Sequence, residues 1–402
     1  MTHWSRPAVL VTLAAAAILM VTMGSRQTLG LFVSPLNSTT GLGITAISLA
    51  LAIGQFVWGA AQPLAGAAAD RWGPAPVLIA GLVILALGTA LTPFMSSSLG
   101  LIFSLGLVAA IGSGAGSFSV LIGAAAHRLP AEARGTASGV INAGGSFGQF
   151  VFAPVTQKLI QSFGWMGAMW TLAVVTLAAI PLVGMVAGHG SAAHRSASGG
   201  SGVWKAVRDA MDDRSYLLLH AGFFTCGFHI AFLVTHLPGE VDLCGLSATV
   251  ASWSLGIIGL ANIAGSLLAG AAVSRYRSKH VLALMYGSRA ALIALYLAAP
   301  KTPLTFYLFA AGLGLTWLAT VPPTAAIVGK LFGIRYLATL FGLTLLSHQV
   351  GAFFGAWLGG IALESSGSYQ WMWYADMALS AAAAAVNLPI REAPVRMAPA
   401  AA

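Results

Sequence analysis

Charge is what this chain has little of. Asp, Glu, Lys and Arg make up 7% of its 402 residues, against about 25% in a soluble globular domain. So few charges cannot clothe a water-facing surface, which excludes a soluble enzyme or regulator. Acids are the scarcest, 10 Asp and Glu against 19 Lys and Arg. The two cysteines, Cys226 and Cys244, form no disulfide framework and have no metal-ligand spacing. No nucleophile–base pair or metal constellation stands out, so neither an enzyme nor a cofactor or metal protein is expected. The Gly-rich run at 112–116 follows no strand and carries no Walker lysine, which removes a nucleotide reading.

What is abundant is apolar. Hydrophobic residues make up 58% of the chain, with 48 glycines and 17 prolines. Both glycine and proline are commoner in transmembrane helices than in soluble ones. A bilayer core needs roughly 20 apolar residues per helix. Twelve runs qualify, at about 8–33, 44–69, 76–95, 99–126, 136–160, 166–187, 215–237, 247–274, 281–299, 303–329, 336–362 and 370–390. The first is too long for a signal peptide and reads as an uncleaved first helix.

The formal net charge of +9 could suggest nucleic acid, but its placement argues otherwise. Basic residues sit singly or in small groups in the gaps between apolar runs. With the N-terminus in the cytoplasm, only Lys158 and Lys301 of the gap residues fall outside, so the positive-inside rule places both termini in the cytoplasm.

Four segments follow: an N-terminal six-helix half (1–187), a cytoplasmic linker (188–214), a C-terminal six-helix half (215–390) and a cytoplasmic tail (391–402). The linker opens Gly/Ser-rich and ends in a short amphipathic helix at about 203–211. Its His189 and His194 read as solvated rather than metal-binding.

The two halves repeat a phrase. Gly66-Ala67-Ala68-Ala69-Asp70-Arg71 closes the second run of the first half, and Gly270-Ala271-Ala272-Val273-Ser274-Arg275 closes the second run of the other. With twelve spans and a central loop, this resembles the major facilitator superfamily, whose loop reads G-x-x-x-D-R/K-x-G-R/K-R/K. Gly66, Asp70, Arg71 and Gly73 match it, while Pro74 and Ala75 replace the final basic pair. Gly270 and Arg275 keep its sense, with Ser274 in place of the acid. The resemblance implies an all-α fold of twelve membrane helices in two halves, which rock about a central site in alternating access. It also implies that the repeated loop is a conformational latch on the cytoplasmic side, weaker in the second half where Ser274 carries no charge. The alternative is that Asp70 and Arg71 only mark a membrane boundary.

A finer resemblance, carried by 24–32 and by Gly227-Phe228-His229, is to bacterial carriers near the monocarboxylate and oxalate–formate branch. Many of those place a substrate-binding arginine in span 8. Here Leu246 to Val273 holds no charge, and Asn262 and Ser266 are the main polar groups.

Ionisable groups inside a membrane are costly and ask for a reason. The resemblance makes spans 1, 4, 7 and 10 line the cavity. Arg26, with Gln27 beside it, lies deep in span 1 and either binds an anionic substrate or snorkels to the interface. His229 in span 7 either carries a coupling proton or donates to a neighbouring carbonyl, and His236 reads as interfacial. Asn142 and Gln149 share a face of span 5, and His348 and Gln349 lie mid-span in span 11. They are candidates for the substrate site or for interhelical hydrogen bonds. Gln55 and Gln62 in span 2 fit a structural role better. Arg289 (span 9) and Asp376 (span 12) read as structural and not as a pair, with Asp376 near the outer edge in a belt of Trp371, Trp373 and Tyr374. Pro322-Pro323 is expected to kink span 10.

Basic and protonatable groups outnumber acids inside the spans, which favours an anionic cargo. The expectation is a multi-pass transporter of the bacterial inner membrane. It would move a small organic anion with possible proton coupling, as a monomer among lipids and without nucleic acid. A drug or amphiphile exporter of the same fold is the rival; it predicts an apolar, aromatic cavity and a dispensable Arg26, which Trp58, Trp253 and Trp317 leave open. A non-translocating sensor or scaffold is the rival from another class.

Overall fold

The computed structural model describes residues 6–129, 131–187, 200–333 and 337–394. Within these, only the backbone is described at 70, 126–127, 131–136, 200–203 and 337–338. The linker stretch with His189 and His194, and the last part of the tail, lie outside the described residues. Every regular element described is helical. In lipid a helix is the solution for an apolar segment, because it satisfies its backbone N–H and C=O groups within itself.

The first half comprises α1 (Arg6–Thr40), α2 (Ile44–Trp72), α3 (Pro74–Phe94), α4 (98–128), α5 (131–163) and α6 (165–187). Gly164 (φ +70°) breaks the helix between α5 and α6. A short helix, Gly200–Met211, precedes the second half. That half comprises α7 (Arg214–Leu243), α8 (Ala248–Arg275), α9 (Ser278–Ala298), α10 (303–332), α11 (Leu337–Ser366) and α12 (Gln370–Asn387). Among the described residues, eight segments, one of them taking in both α5 and α6, are long and apolar enough to cross a membrane. This is a multi-pass membrane protein.

Each half has its own buried core. One is built from residues such as Ile18, Leu19, Leu78 and Leu121, the other from Leu219, Phe223, Leu255 and Trp317. The halves meet along two seams, α2 against α11 and α5 against α8. The end of the bundle with the α1–α2 turn is called upper here, and the end with the α2–α3 turn lower.

The upper end is closed by tight packing of glycines against the facing helices. A Cβ at Gly30 of α1 would sit 2.0 Å from the Val234 carbonyl oxygen of α7, and one at Gly360 of α11 would sit 2.6 Å from Ser48 of α2. The lower end is not closed in this way: Cβ atoms at Gly66, Gly73 and Gly270 would meet nothing within 4 Å. Gly73 turns the chain between α2 and α3 at φ +87°, a conformation that favours glycine.

Among the described residues, α1, α4 and α10 are interrupted mid-bundle, and α6 is interrupted at Ala179. The first run is expected to end near Val33, but α1 stops being α-helical at Gln27. It passes through a 3₁₀ turn (Leu29–Phe32) and resumes over Val33–Thr40. In α4 the break falls at Gly116 and Ser117. In α10 it falls between Pro303–Gly314 and Val321–Phe332. Pro322 and Pro323 lack the N–H groups that would bond carbonyls four residues earlier, so the helix comes apart just before them.

Candidate substrate and coupling sites

Arg26 is the last-turn residue of the first stretch of α1, so the helix break fixes where its side chain leaves the backbone. Its guanidinium donates to the Gln55 side-chain oxygen of α2 and lies over the Trp58 ring, 3.9 Å from the centroid. Among the described residues no carboxylate pairs with it. The Trp58 face supplies cation–π attraction, and its indole Nε1 is buried without a partner. Beside Arg26 is a cavity of about 40 Å³, lined by Ser25, Gly54, Gln55, Thr89, Ser113 and Thr235 among others. At roughly 10–15 Å³ per water it holds a few waters and no larger solute while the upper end is closed. Gln27 is buried at the start of the α1 break and does not line this cavity.

The amides of α5 and α11 sit in the two seams. Gln349 lies across Gly59 of α2, its Cγ 2.2 Å from where a Cβ would be, and Gln149 lies across Gly259 of α8, its Cβ 2.9 Å away. Each seam thus uses one device: a glutamine of one half laid over a glycine of the other. Gln349 Oε1 and Gln149 Nε2 are buried and unpartnered. His348 contacts the neighbouring Gln349 amide at 3.3 Å, packs on Phe223, and lies within Coulombic reach of Arg26 and Arg289. Asn142 is half-buried on α5, nearer the lower end. In the α5–α8 seam, Asn262 donates to Ser146 at 2.8 Å and accepts from the Leu318 amide of α10 at 2.9 Å. One side chain thereby ties α5, α8 and the α10 break.

His229 Nδ1 of α7 and Asp376 Oδ2 of α12 are 2.5 Å apart, both fully buried. This corrects the expected position of Asp376: it lies in the interior of the second half, not at the outer edge. The proposed belt divides by helix face. Trp371 and Tyr374 are exposed, but Trp373 is 1% exposed and packs on Phe232, Tyr296 and Phe309. Arg289 is also fully buried. It donates to the Thr316 carbonyl at 2.7 Å, capping an oxygen freed by the α10 break. No Arg289–Asp376 ion pair occurs among the described residues, as expected. The first half treats its own break similarly: Thr22 of α1 donates to the Gly116 carbonyl of α4 at 3.0 Å. His236 is buried too, contacting the Ala356 carbonyl at 2.7 Å.

A sequence profile described as Major Facilitator Superfamily matches this chain twice, over residues 15–247 and 241–401. The protein belongs to the major facilitator superfamily. The chain is 26% identical to Monocarboxylate transporter 13 of Rattus norvegicus over 80% of its length and 73% of that protein's. It is 22% identical to the Oxalate:formate antiporter of Oxalobacter formigenes over 87% of its length and 84% of that protein's. Among solved structures it superposes on a D-xylose-proton symporter with a TM-score of 0.73 at 15% identity, covering 96% of this chain and 97% of that one. The last shows the shared fold alone. Together these make the protein a transporter of this superfamily rather than an enzyme.

Arg71 and Arg275 are exposed, and among the described residues neither forms an ion pair. Arg71 rests 5.6 Å from the ring of its neighbour Trp72. The Asp70 side chain lies outside the described residues. Two residues set aside in the sequence prove central to the geometry, Gln55 against Arg26 and Asp376 against His229. For Asp376, its rarity as an acid inside a span was the available signal. For Gln55 the spacing gave a face but not which neighbour that face meets.

Proposed function

We propose that this superfamily member is a secondary active transporter of small organic anions, carboxylates foremost, and that Arg26 binds the carboxylate. The observation that carries this reading is a guanidinium at mid-bundle held by a neutral amide and an aromatic face, with no acid of its own. A cation inside a membrane bundle is costly without a counter-charge. A carboxylate entering between the halves would supply one, taking the place of Gln55 as acceptor from the guanidinium. The relatives named for monocarboxylates and for oxalate and formate support the same cargo class. Gln27, Asn142, Gln149, His348 and Gln349 are the polar groups on or beside the seams that would complete the site.

The wider architecture belongs to the same proposal. Twelve helices cross the bacterial inner membrane, both termini are cytoplasmic, and the protein works as a monomer. The lower end then faces the cytoplasm, and a closed upper end would belong to the inward-facing limb of alternating access. The glycines and charged residues of the repeated loop (Gly66, Asp70, Arg71, Gly73, Gly270, Arg275) would engage when the lower end closes. Coupling to protons through His229 completes the cycle.

The test is uptake of labelled small carboxylates into proteoliposomes, with and without an inward proton gradient, for the wild type and Arg26→Gln. Losing a hydrogen bond to a charged group costs about 1.5–3 kcal/mol. Apparent affinity of the variant should therefore fall roughly 10- to 150-fold. Unchanged uptake in Arg26→Gln would remove the carboxylate role from this residue. Failure of the whole panel, with dye or drug release from cells, would move the protein to the exporters.

A further inference from the structure

The second half fully buries a histidine, an arginine and an aspartate: His229 on α7, Arg289 on α9 and Asp376 on α12, each 0% exposed. Structural packing alone does not account for all of their polar atoms. His229 Nε2, Asp376 Oδ1 and the Nε and Nη1 of Arg289 are buried and unpartnered. Such atoms are expensive to leave unpaired, and here several gather around one short contact, His229 to Asp376. Arg289 lies within Coulombic reach of His229.

The surrounding groups are few. On α7, Cys226 contacts the Thr320 hydroxyl at 3.3 Å, and α9 adds Tyr286. On α10, Trp317 packs its ring on His229 and brings no charge. On α11, His348 is within reach of Arg289. Asp376 is the acid of this cluster.

Charge counting separates two states. With His229 neutral and Asp376 ionised, the carboxylate offsets Arg289 and the cluster is neutral. One added proton makes it +1, whether it sits on the imidazole or the carboxyl. A buried +1 is costly by itself, and an anion bound between the halves would lower that cost. By linkage the proton would lower the cost of the anion in turn.

We infer that His229, Asp376 and Arg289 form a proton-binding site inside the second half, apart from Arg26 in the first, with Asp376 an obligatory member of the proton site. One proton enters from water, adds to the His229–Asp376 pair and leaves to water, and no bond between heavy atoms changes. Arg289 connects this site to movement. It donates to the Thr316 carbonyl at the α10 break and lies within Coulombic reach of His229, so a change of charge on the His229–Asp376 pair is felt at the group that caps the break. The inference deepens the coupling part of the proposed function and rests on it only for the transport readout.

Two measurements test it. The first needs no substrate. Infrared difference spectra of the purified protein in lipid, on stepping the pH, should show a protonatable carboxyl that is absent in Asp376→Asn and altered in His229→Gln. The second compares carboxylate exchange with gradient-driven accumulation. Asp376→Asn should keep exchange and lose accumulation by at least ~10-fold, within the usual range of coupling between sites.

A wild type with no pH-dependent carboxyl band overturns the inference, whichever variants fold. So does a folded Asp376→Asn that keeps the band, or that accumulates substrate like the wild type. If Asp376→Asn does not fold, an unchanged band in His229→Gln overturns it. If no carboxylate is transported but the band is present and lost in Asp376→Asn, the proton site stands and the cargo assignment fails.

Discussion

Gly30→Ala probes how the upper end closes. Gly30 sits in the 3₁₀ turn of α1 with an ordinary negative φ, so alanine fits the backbone there. The obstacle is steric: the new Cβ would lie 2.0 Å from the Val234 carbonyl oxygen and 3.0 Å from that of Thr235. Carbon and oxygen in close contact settle near 3.3 Å, so α1 and α7 must part by about 1.3 Å. Overpacking of this kind costs about 1–3 kcal/mol. The cost falls on the state in which the upper end is closed, because separating the halves at this end gives the methyl room. The ratio of upper-closed to upper-open molecules should fall roughly 5- to 150-fold.

Spin labels at Ser38 and Asp242, one in each half near the upper end, would report the change in a background with Cys226 and Cys244 replaced. The longer-distance population should grow in Gly30→Ala. Identical distance distributions, with uptake also unchanged, would refute the idea that this backbone contact closes the upper end.

Other predictions concern the struts around the sites. Asn262→Ala removes the donor to Ser146 and the acceptor for the Leu318 amide. It should destabilise the protein by about 1–3 kcal/mol, read as a lower melting temperature in detergent; an unchanged melting temperature would show that Asn262 is not a strut. At the lower end, Glu392 accepts from the Lys279 amide and from Lys330 Nζ, both at 2.7 Å. Burial would raise its carboxyl, but these hydrogen bonds outweigh it and hold the group below the usual carboxylate value. A depressed native value means the contribution is complete above the unfolded value and is lost as the pH falls through the native one. The melting temperatures of wild type and Glu392→Gln should therefore differ near neutral pH and converge on acidification. A gap that is the same at every pH would contradict this.

The superfamily was legible in the sequence because lipid imposes strong, simple demands: long apolar runs, scarce charge and a repeated loop. The α10 break was legible too, since adjacent prolines cannot continue a helix. The break in α1 was not, because Gln27 and Thr28 carry no such mark and the turn is imposed by packing of Gly30 on α7. The position of Asp376 was hidden by its neighbours. Trp371 and Tyr374 face outward as a belt would, but Trp373 and Asp376, three apart on the helix, share the opposite face. Gln55 shows a related limit: helical spacing gives which residues share a face, not which partner that face meets.

The closed upper end is held by shape. Among the described residues no ion pair crosses between the halves, and the close approaches of glycines there are to the Val234 carbonyl, the Ser48 side chain and the Glu364 side chain. At the lower end the exposed cations Arg71 and Arg275 stand free of ion pairs among those residues. Salt screens exposed charges but not steric fit. The two gates should therefore answer to different surroundings. Ionic strength on the lower face would tune how readily that gate shuts, whereas the upper gate, held mainly by steric fit, would respond less to salt and more to the thickness and lateral pressure of the bilayer around it.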